Sequence, residues 1–385
     1  MTNTPVPLTP PNPSGVHAAQ RLASIAQARL MALHERTALP AGWVAPWIER
    51  SWARCISLGL QPNQTALLDP VTQSQRRRTT EANQQLVQTA KPVLESLGRA
   101  IANTRYFAIL TNADGVVVDV SGPVDRSDDR ADRITQIGAD LSESSIGTTA
   151  IGAALTELQP VWLHRGEHFL TSNSPYSCAG APLFGPDGRC VGMLDVTGID
   201  AVERPELKHL LTQSASKIEN ALLLAQPHRL MVRLNWPGSN MGGEADGIVC
   251  LDSDGWITGA NPAARQMVPD LVASGAPRRH VSELFGVPFE MLFDALRHPD
   301  ATLEIPLWTG LTLQALPIAP ADEQQTIASR LCKTLVGNLP LKDLETALIH
   351  QAVEKAKGNV AQAAQQLGIS RATVYRKLGL RRPPP

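Results

Sequence analysis

The sequence predicts an α+β multidomain chain: two antiparallel-sheet regions with flanking helices, followed by a compact all-α unit. Three observations carry that prediction. Paired apolar runs flank Asp-Gly turns in YFAILTNADGVVVDV, APLFGPDGRCVGMLDVTG and IVCLDSDGWITGAN. Asp-Gly supports the positive φ of tight turns, so each is a strand–turn–strand unit. Pro/Gly-rich patches divide the folded stretches. Past Leu341 the apolar residues Leu344, Leu348 and Ala352 recur at helical spacing.

Taken in order, residues 1–15 form a flexible tail, since five prolines in the first 13 positions forbid regular structure. A helical amino-terminal segment, 16–80, carries helical patterns around 16–34 and 44–59. The first sheet region spans 81–226 and closes on an amphipathic helix over 205–225. Leu207, Leu210, Leu211, Ile218 and Leu222 make one stripe of that helix, suited to pairing with a second copy. Residues 227–243, from Pro227 through Gly242-Gly243, are expected to be a linker. The second sheet region, 244–318, opens on the third Asp-Gly unit. There Asn261 caps a helix with Pro262 at its first position, and 302–308 with 311–316 suggest a further hairpin. A second linker, 319–338, contains PIAPADE, and the helical unit occupies 339–382.

Composition bounds the function. Of 385 residues, 43% are hydrophobic and 18% charged, which excludes wholesale disorder. No apolar run approaches a membrane span, and MTNTPVPLTPPNPSG lacks the basic flank and apolar stretch of a signal peptide. Five scattered cysteines (Cys55, Cys178, Cys190, Cys250, Cys332) without CxxC imply reduced thiols and a cytoplasmic protein. The net charge of −1 hides a split. Residues 331–385 hold nine Lys/Arg against three Asp/Glu, whereas residues 1–330 hold 26 against 33. The basic end is where phosphate attraction would be confined.

That end carries the most specific pattern. Gly358 follows Lys355 and Lys357 as a helix stop, and Asn359 caps a second helix with Val360, Ala363, Ala364 and Leu367 inside. Gly368 makes a tight turn, and Ser370 caps a third helix, RATVYRKL. A small residue at Ala364 lets helices cross closely, and Val374 plugs the interface. This is a helix-turn-helix, whose third helix enters the major groove of double-stranded DNA. Its exposed face presents Ser370, Arg371, Thr373, Arg376 and Lys377, with arginine suited to guanine edges and Thr/Lys to phosphates. The rival explanation is a three-helix interaction module with a solvated basic face.

The wording AVEKAKGNVAQAAQQLGISRATVYRKL resembles the Fis-type helix-turn-helix at the ends of bacterial enhancer-binding regulators. That resemblance implies a DNA-binding homodimer. Upstream, ERSWARCISLGLQP (49–62), SESSIGTTAIGAAL (142–155), EHF (167–169) and SCAGAPLFGPDGRCVGMLDVTG (177–198) are similar to the sensor of acetoin-catabolism activators. The resemblance implies a GAF-like sensor domain for a small organic effector. ADGIVCLDSDGWITGANPAARQM resembles the opening of a PAS domain. The chain departs from such sigma-54-type regulators in having no GxxxxGK[ST] and no GAFTGA-like segment, so ATP-driven activation is not expected of it. Repression, contact with RNA polymerase, or modulation of an ATPase-bearing homologous regulator as an adaptor remain.

Candidate effector contacts follow from residue type. The Ser/Thr/Gly-rich segment offers Ser145, Ile146 and Thr148 to a cavity wall, although capping chemistry accounts for each alone. Trp162, Phe169 and Tyr176 cluster within 15 residues of a chain with 4% aromatics and can line a pocket or a core. His168 and Cys178 complete the set. With His164 they also raise a metal-sensing alternative, and Cys178 with Cys190 a redox pair across a hairpin. No GxSxG, HExxH or distinctive carboxylate pair is present, so no catalytic residue, cofactor or resident metal is expected, and the chain is not expected to be an enzyme.

Overall fold

The computed structural model describes residues 13–66, 68–271, 278–297 and 302–320, with Ile349, Val353, Asn359, Val360, Gln362, Ala364 and Val374 of the C-terminal unit. Helix α1 (Pro13–Arg29) runs into a wide helical turn, Leu30–Glu35, and α2 spans Pro46–Ser57. A reciprocal capping box of Thr72 and Gln75 starts α3 (Gln73–Ala82), and α4 (Gln84–Ala100) follows. Strands β1 (Tyr106–Asn112) and β2 (Val117–Ser121) form the first expected hairpin. Short helices α5 (Asp129–Ile134), α6 (Glu143–Ile146) and α7 (Ala150–Glu157) precede β3 (Val161–His164), β4 (Tyr176–Phe184) and β5 (Cys190–Ile199). Helix α8 (Leu207–Leu224) closes the unit. The sheet order is β2-β1-β5-β4-β3, antiparallel throughout.

Because side chains alternate across a strand, the two faces of this sheet do different work. Ala108, Leu110, Leu194 and Val196 face α4 and α8 and bury Leu94, Leu97, Leu211 and Ile218. The stripe on α8 is thereby consumed: Leu207, Leu211, Ile218 and Leu222 are buried in this core, with Leu210 packed against it. The expectation that this stripe pairs with a second copy is corrected. A stripe of this width serves a helix lying on a sheet as well as one in a dimer. Phe107, Ile109, Met193 and Cys178 face the other way, toward α5–α7.

The amino-terminal segment is not separate from this unit. Trp52 Nε1 donates to Glu167 O at 2.9 Å, and Arg54 on α2 pairs with Glu143 and Glu157 at 3.1 and 2.9 Å. The boundary expected at 80/81 therefore has no structural counterpart.

The second sheet contains β6 (Leu230–Asn235), β7 (Gly247–Leu251), β8 (Ile257–Ala260), β9 (Leu303–Pro306) and β10 (Thr312–Ile318), in the order β8-β7-β6-β10-β9. Helices α9 (Pro262–Met267) and α10 (Phe289–Asp294) pack on it, and Asn261 caps α9 through Ala264 N. Its central strand, β6, lies inside the expected linker 227–243, a further correction. Leu230, Val232 and Leu234 are buried, but their alternation is only six residues long and is bracketed by Pro227 and Pro237-Gly238. The β4–β5 turn abuts this domain: Ala260 N donates to Pro186 O at 3.1 Å, and half-buried Arg265 reaches the carbonyls of Pro186 and Ala260.

Residues 319–385 form a separate unit. Ile349, Ala364 and Val374 are buried together beside Val353 and Val360, and Asn359 Oδ1 accepts from Gln362 N at 3.2 Å. These are the crossing, the plug and the cap that the sequence places there.

Candidate functional site

A cavity of about 150 Å³ opens on the α5–α7 side of the first sheet. Its floor is Ile109 of β1, Cys178 of β4, and Asp195 and Thr197 of β5; its walls are Ile146, Thr149, Ala150 and Ile151. Arg130 and Arg133 of α5 stand on one side, and Thr65, Ala66 and Leu68 of the amino-terminal segment complete the enclosure. Two glycines make the fit possible. Gly180 lies so close to α7 that a Cβ would sit 2.7 Å from Ala150 O, and Gly147 ends α6 at φ +71, against Phe169.

Besides Arg130, Arg133 and the polar wall residues Thr149 and Asn173, a connected run of polar groups, His168, Cys178, Thr197 and Asp195, crosses the floor. Burial holds His168 neutral, its pKa pushed down to about 4. Its Nδ1 lies 2.9 Å from Arg165 O, a carbonyl that can only accept. Nδ1 therefore carries the proton, and Nε2 accepts from the Cys178 thiol at 3.6 Å. Burial pushes that thiol well up, so it stays protonated. Thr197 Oγ1 lies 3.2 Å from Cys178 Sγ and 2.5 Å from Asp195 Oδ2. Asp195 is fully buried, and burial raises its carboxyl to about 7, opposed by the Thr197 bond. Its second oxygen, Oδ1, has no hydrogen-bond partner among the described residues.

The structure brings four of the eight expected contact residues to this cavity: Ile146, His168, Tyr176 and Cys178. Ser145 instead bonds Asp140 Oδ2 at 2.5 Å. Thr148 is buried behind the wall against Ser51 and Cys55. Trp162 packs on the opposite sheet face, because neighbouring strand residues alternate. Phe169 is enclosed by Ala28, Ile48 and Trp52 of the amino-terminal helices. The alternative pairings are not brought together. Cys178 faces Thr197 and Cys190 faces Phe184, and both thiols are free. His164 turns to Ser177, and no three-residue metal-ligating group occurs among the described residues. Sequence reasoning missed Asp195, Thr197, Asn173 and the two arginines. Asp195 left a trace: a lone carboxylate inside the apolar run CVGMLDVTGI. Ser370, Arg371, Thr373, Arg376 and Lys377 lie outside the described residues.

Comparison with known proteins places this architecture. The family described as "MimR, N-terminal domain" matches residues 23–220, which begin within α1 and take in α2–α4, the first sheet and α8 up to Asn220. The chain belongs to the MimR family. The match runs across position 80, as the packing of this MimR-family unit does. "Bacterial regulatory protein, Fis family" matches residues 340–379. The chain is 32% identical over 255 residues to the "Acetoin catabolism regulatory protein" of Cupriavidus necator, covering 64% of this chain and 37% of that one. It is 27% identical to the "Acetoin dehydrogenase operon transcriptional activator AcoR" of Bacillus subtilis, covering 62% and 38%. This MimR-family chain thus spans less than two-fifths of the length of these relatives, which are transcriptional regulators. Among solved structures, the Escherichia coli DhaR(N)–DhaL complex aligns over 72% of this chain and 100% of that one, at 16% identity and a TM-score of 0.43. No helix among the described residues is long and apolar enough to cross a membrane.

Proposed function

We propose that the chain is a cytoplasmic, homodimeric transcriptional regulator that binds a small organic effector in the first-domain cavity and reads operator DNA through its Fis-type unit. The observation that carries the DNA-binding half is the 340–379 match, together with the buried Ile349–Ala364–Val374 crossing. Two copies would read half-sites about one duplex turn apart, ~34 Å. The observation that carries the sensing half is a polar atom, Asp195 Oδ1, left unsatisfied in a cavity that combines apolar walls with a few convergent polar groups, the composition of a small-molecule site. A cavity of ~150 Å³ takes a molecule of roughly benzene's size. The absence of GxxxxGK[ST] from these 385 residues supports a mode of action without ATP hydrolysis by them.

The route from cavity to second domain is the β4–β5 hairpin. Its strands carry Cys178, Asp195 and Thr197, and its turn is held at Pro186 by Ala260 and Arg265. An effector shifts the placement of the DNA-reading heads only by the difference in its affinity for the two arrangements. The test is selection of genomic fragments by the full chain, followed by anisotropy on the selected site. Arg371→Ala should weaken that site by ~1–3 kcal/mol and relax base preference. Unchanged affinity and preference would remove Arg371 from the recognition surface.

A further inference from the structure

The polar run in the cavity has a direction, and that direction specifies what the effector must offer. His168 Nδ1 donates to Arg165 O, so Nε2 is bare and takes the Cys178 S–H. With that hydrogen committed, Cys178 Sγ accepts from Thr197 Oγ1 at 3.2 Å. Thr197 Oγ1 then accepts from a protonated Asp195 Oδ2, 2.5 Å away. Every polar hydrogen in this series has one partner, and the series ends on Asp195 Oδ1 as a bare acceptor. If Asp195 is ionised, Thr197 donates to Oδ2 and Oδ1 is again an acceptor. A proton on Oδ1 would make it a donor only if Thr197 turned its own hydrogen from Cys178 Sγ to Oδ2, which costs the series one hydrogen bond.

We infer that Asp195 Oδ1 is the recognition atom of the cavity, and that it selects an uncharged ligand able to donate one hydrogen bond, a hydroxyl above all. This rests on the reading of the cavity as the effector site. A carbonyl-only molecule would set two acceptors against each other or force that rearrangement. An ammonium would have to be stripped of water among Ile109, Ile146, Ala150 and Ile151, with Arg130 and Arg133 in the same lining. A carboxylate offers acceptors only, so it would leave Oδ1 unpaired as a ketone does, whatever it gained from Arg130 and Arg133.

Four probes separate these cases: 2-butanol, 2-butanone and butan-2-amine on one carbon frame, and benzene as an apolar control. Binding of each to the full chain is followed by ligand-observed saturation-transfer NMR titration. The expected result is that 2-butanol binds about tenfold more tightly than 2-butanone, with butan-2-amine weakest. Asp195→Leu, nearly isosteric and without the acceptor, should lose the preference for 2-butanol and still bind benzene. Asp195→Asn can donate to Thr197 and retain an acceptor at Oδ1, so it should keep the preference should the leucine variant fail to fold. Equal or tighter binding of 2-butanone, or tightest binding of butan-2-amine, would overturn the inference while leaving the cavity as a ligand site. Exclusion of all four probes, benzene included, would overturn the cavity reading and this inference with it.

Discussion

Arg29 fastens α1 to the loop that carries His168, and removing it is a quantitative test of how the cavity is held. Its guanidinium donates to Gly166 O at 2.9 Å, to His168 O, and to Phe169 O at 3.0 Å. It also lies 5.9 Å from the centre of the Trp52 ring. His168 and Phe169 are almost wholly buried, so water cannot readily replace the arginine at their carbonyls. Arg165, in the same loop, sits at φ 50, a conformation that needs outside support. An unsatisfied buried carbonyl costs ~1–3 kcal/mol, and the third, at Gly166, recovers part of its bond from solvent. Arg29→Met should therefore destabilise the first domain by about 3 kcal/mol, less a little for the retained aliphatic stem. Arg29→Lys, which cannot fork to several carbonyls, should lose about half as much. Urea unfolding of the full chain, followed by tryptophan emission, measures both. An Arg29→Met midpoint equivalent to less than about 0.5 kcal/mol of change would refute the clamp, since that is the range of unremarkable surface substitutions.

Three further expectations follow from the same structure. Asp195 titrates near 7 in the folded state, above its unfolded value of ~3.9, so the folded chain keeps a proton that the unfolded chain has released between those values. Stability attributable to this group falls as pH rises from about 4 to about 7 and is level above; Asp195→Asn should gain on the parent across that window, by at most about 4 kcal/mol, and a difference independent of pH between 5 and 8 would contradict the assignment. Arg265→Met removes the guanidinium that holds Pro186 O, Ala260 O and Leu271 O, and should raise amide exchange at 185–189 and 258–261 while leaving β1 protected. Ala364→Leu overfills the crossing of Ile349 and Val374, costing ~1–3 kcal/mol in the C-terminal unit; operator binding measured by anisotropy should fall with an unchanged first-domain melt.

The legible parts of the fold were those where pattern and chemistry are local. Asp-Gly turns place β1–β2, β4–β5 and β7–β8 because the turn itself demands the residue, as Gly115, Gly188 and Gly255 show with φ of 81 to 82. Asn359, Ala364 and Val374 were readable because a cap, a close crossing and a plug each tolerate few residue types. The failures were long-range. Whether the α8 stripe meets a sheet or another helix is not written in its spacing. β6 was masked by its prolines, and its central position depends on β10, some 80 residues on. For the cavity, residue type identified Ile146, His168, Tyr176 and Cys178, but the side of the sheet each strand residue faces is fixed by register. One position in that alternation sends Trp162 to the opposite core. Asp195 was passed over because a single carboxylate in a strand has no spacing partner; its meaning comes from burial and from an oxygen with nothing to bond.

The link between cavity and transcription is tested most directly by blocking the cavity in the full chain. Ile151→Phe would project an aromatic ring into the space that Ile151 lines. Once genomic selection has supplied a promoter, reporter output can be compared for the parent and this variant across growth substrates, at equal protein level and operator affinity. The parent should change output on at least one substrate, and Ile151→Phe should hold a single output throughout. A variant that switches as fully as the parent, with the cavity shown to be filled, would contradict the link.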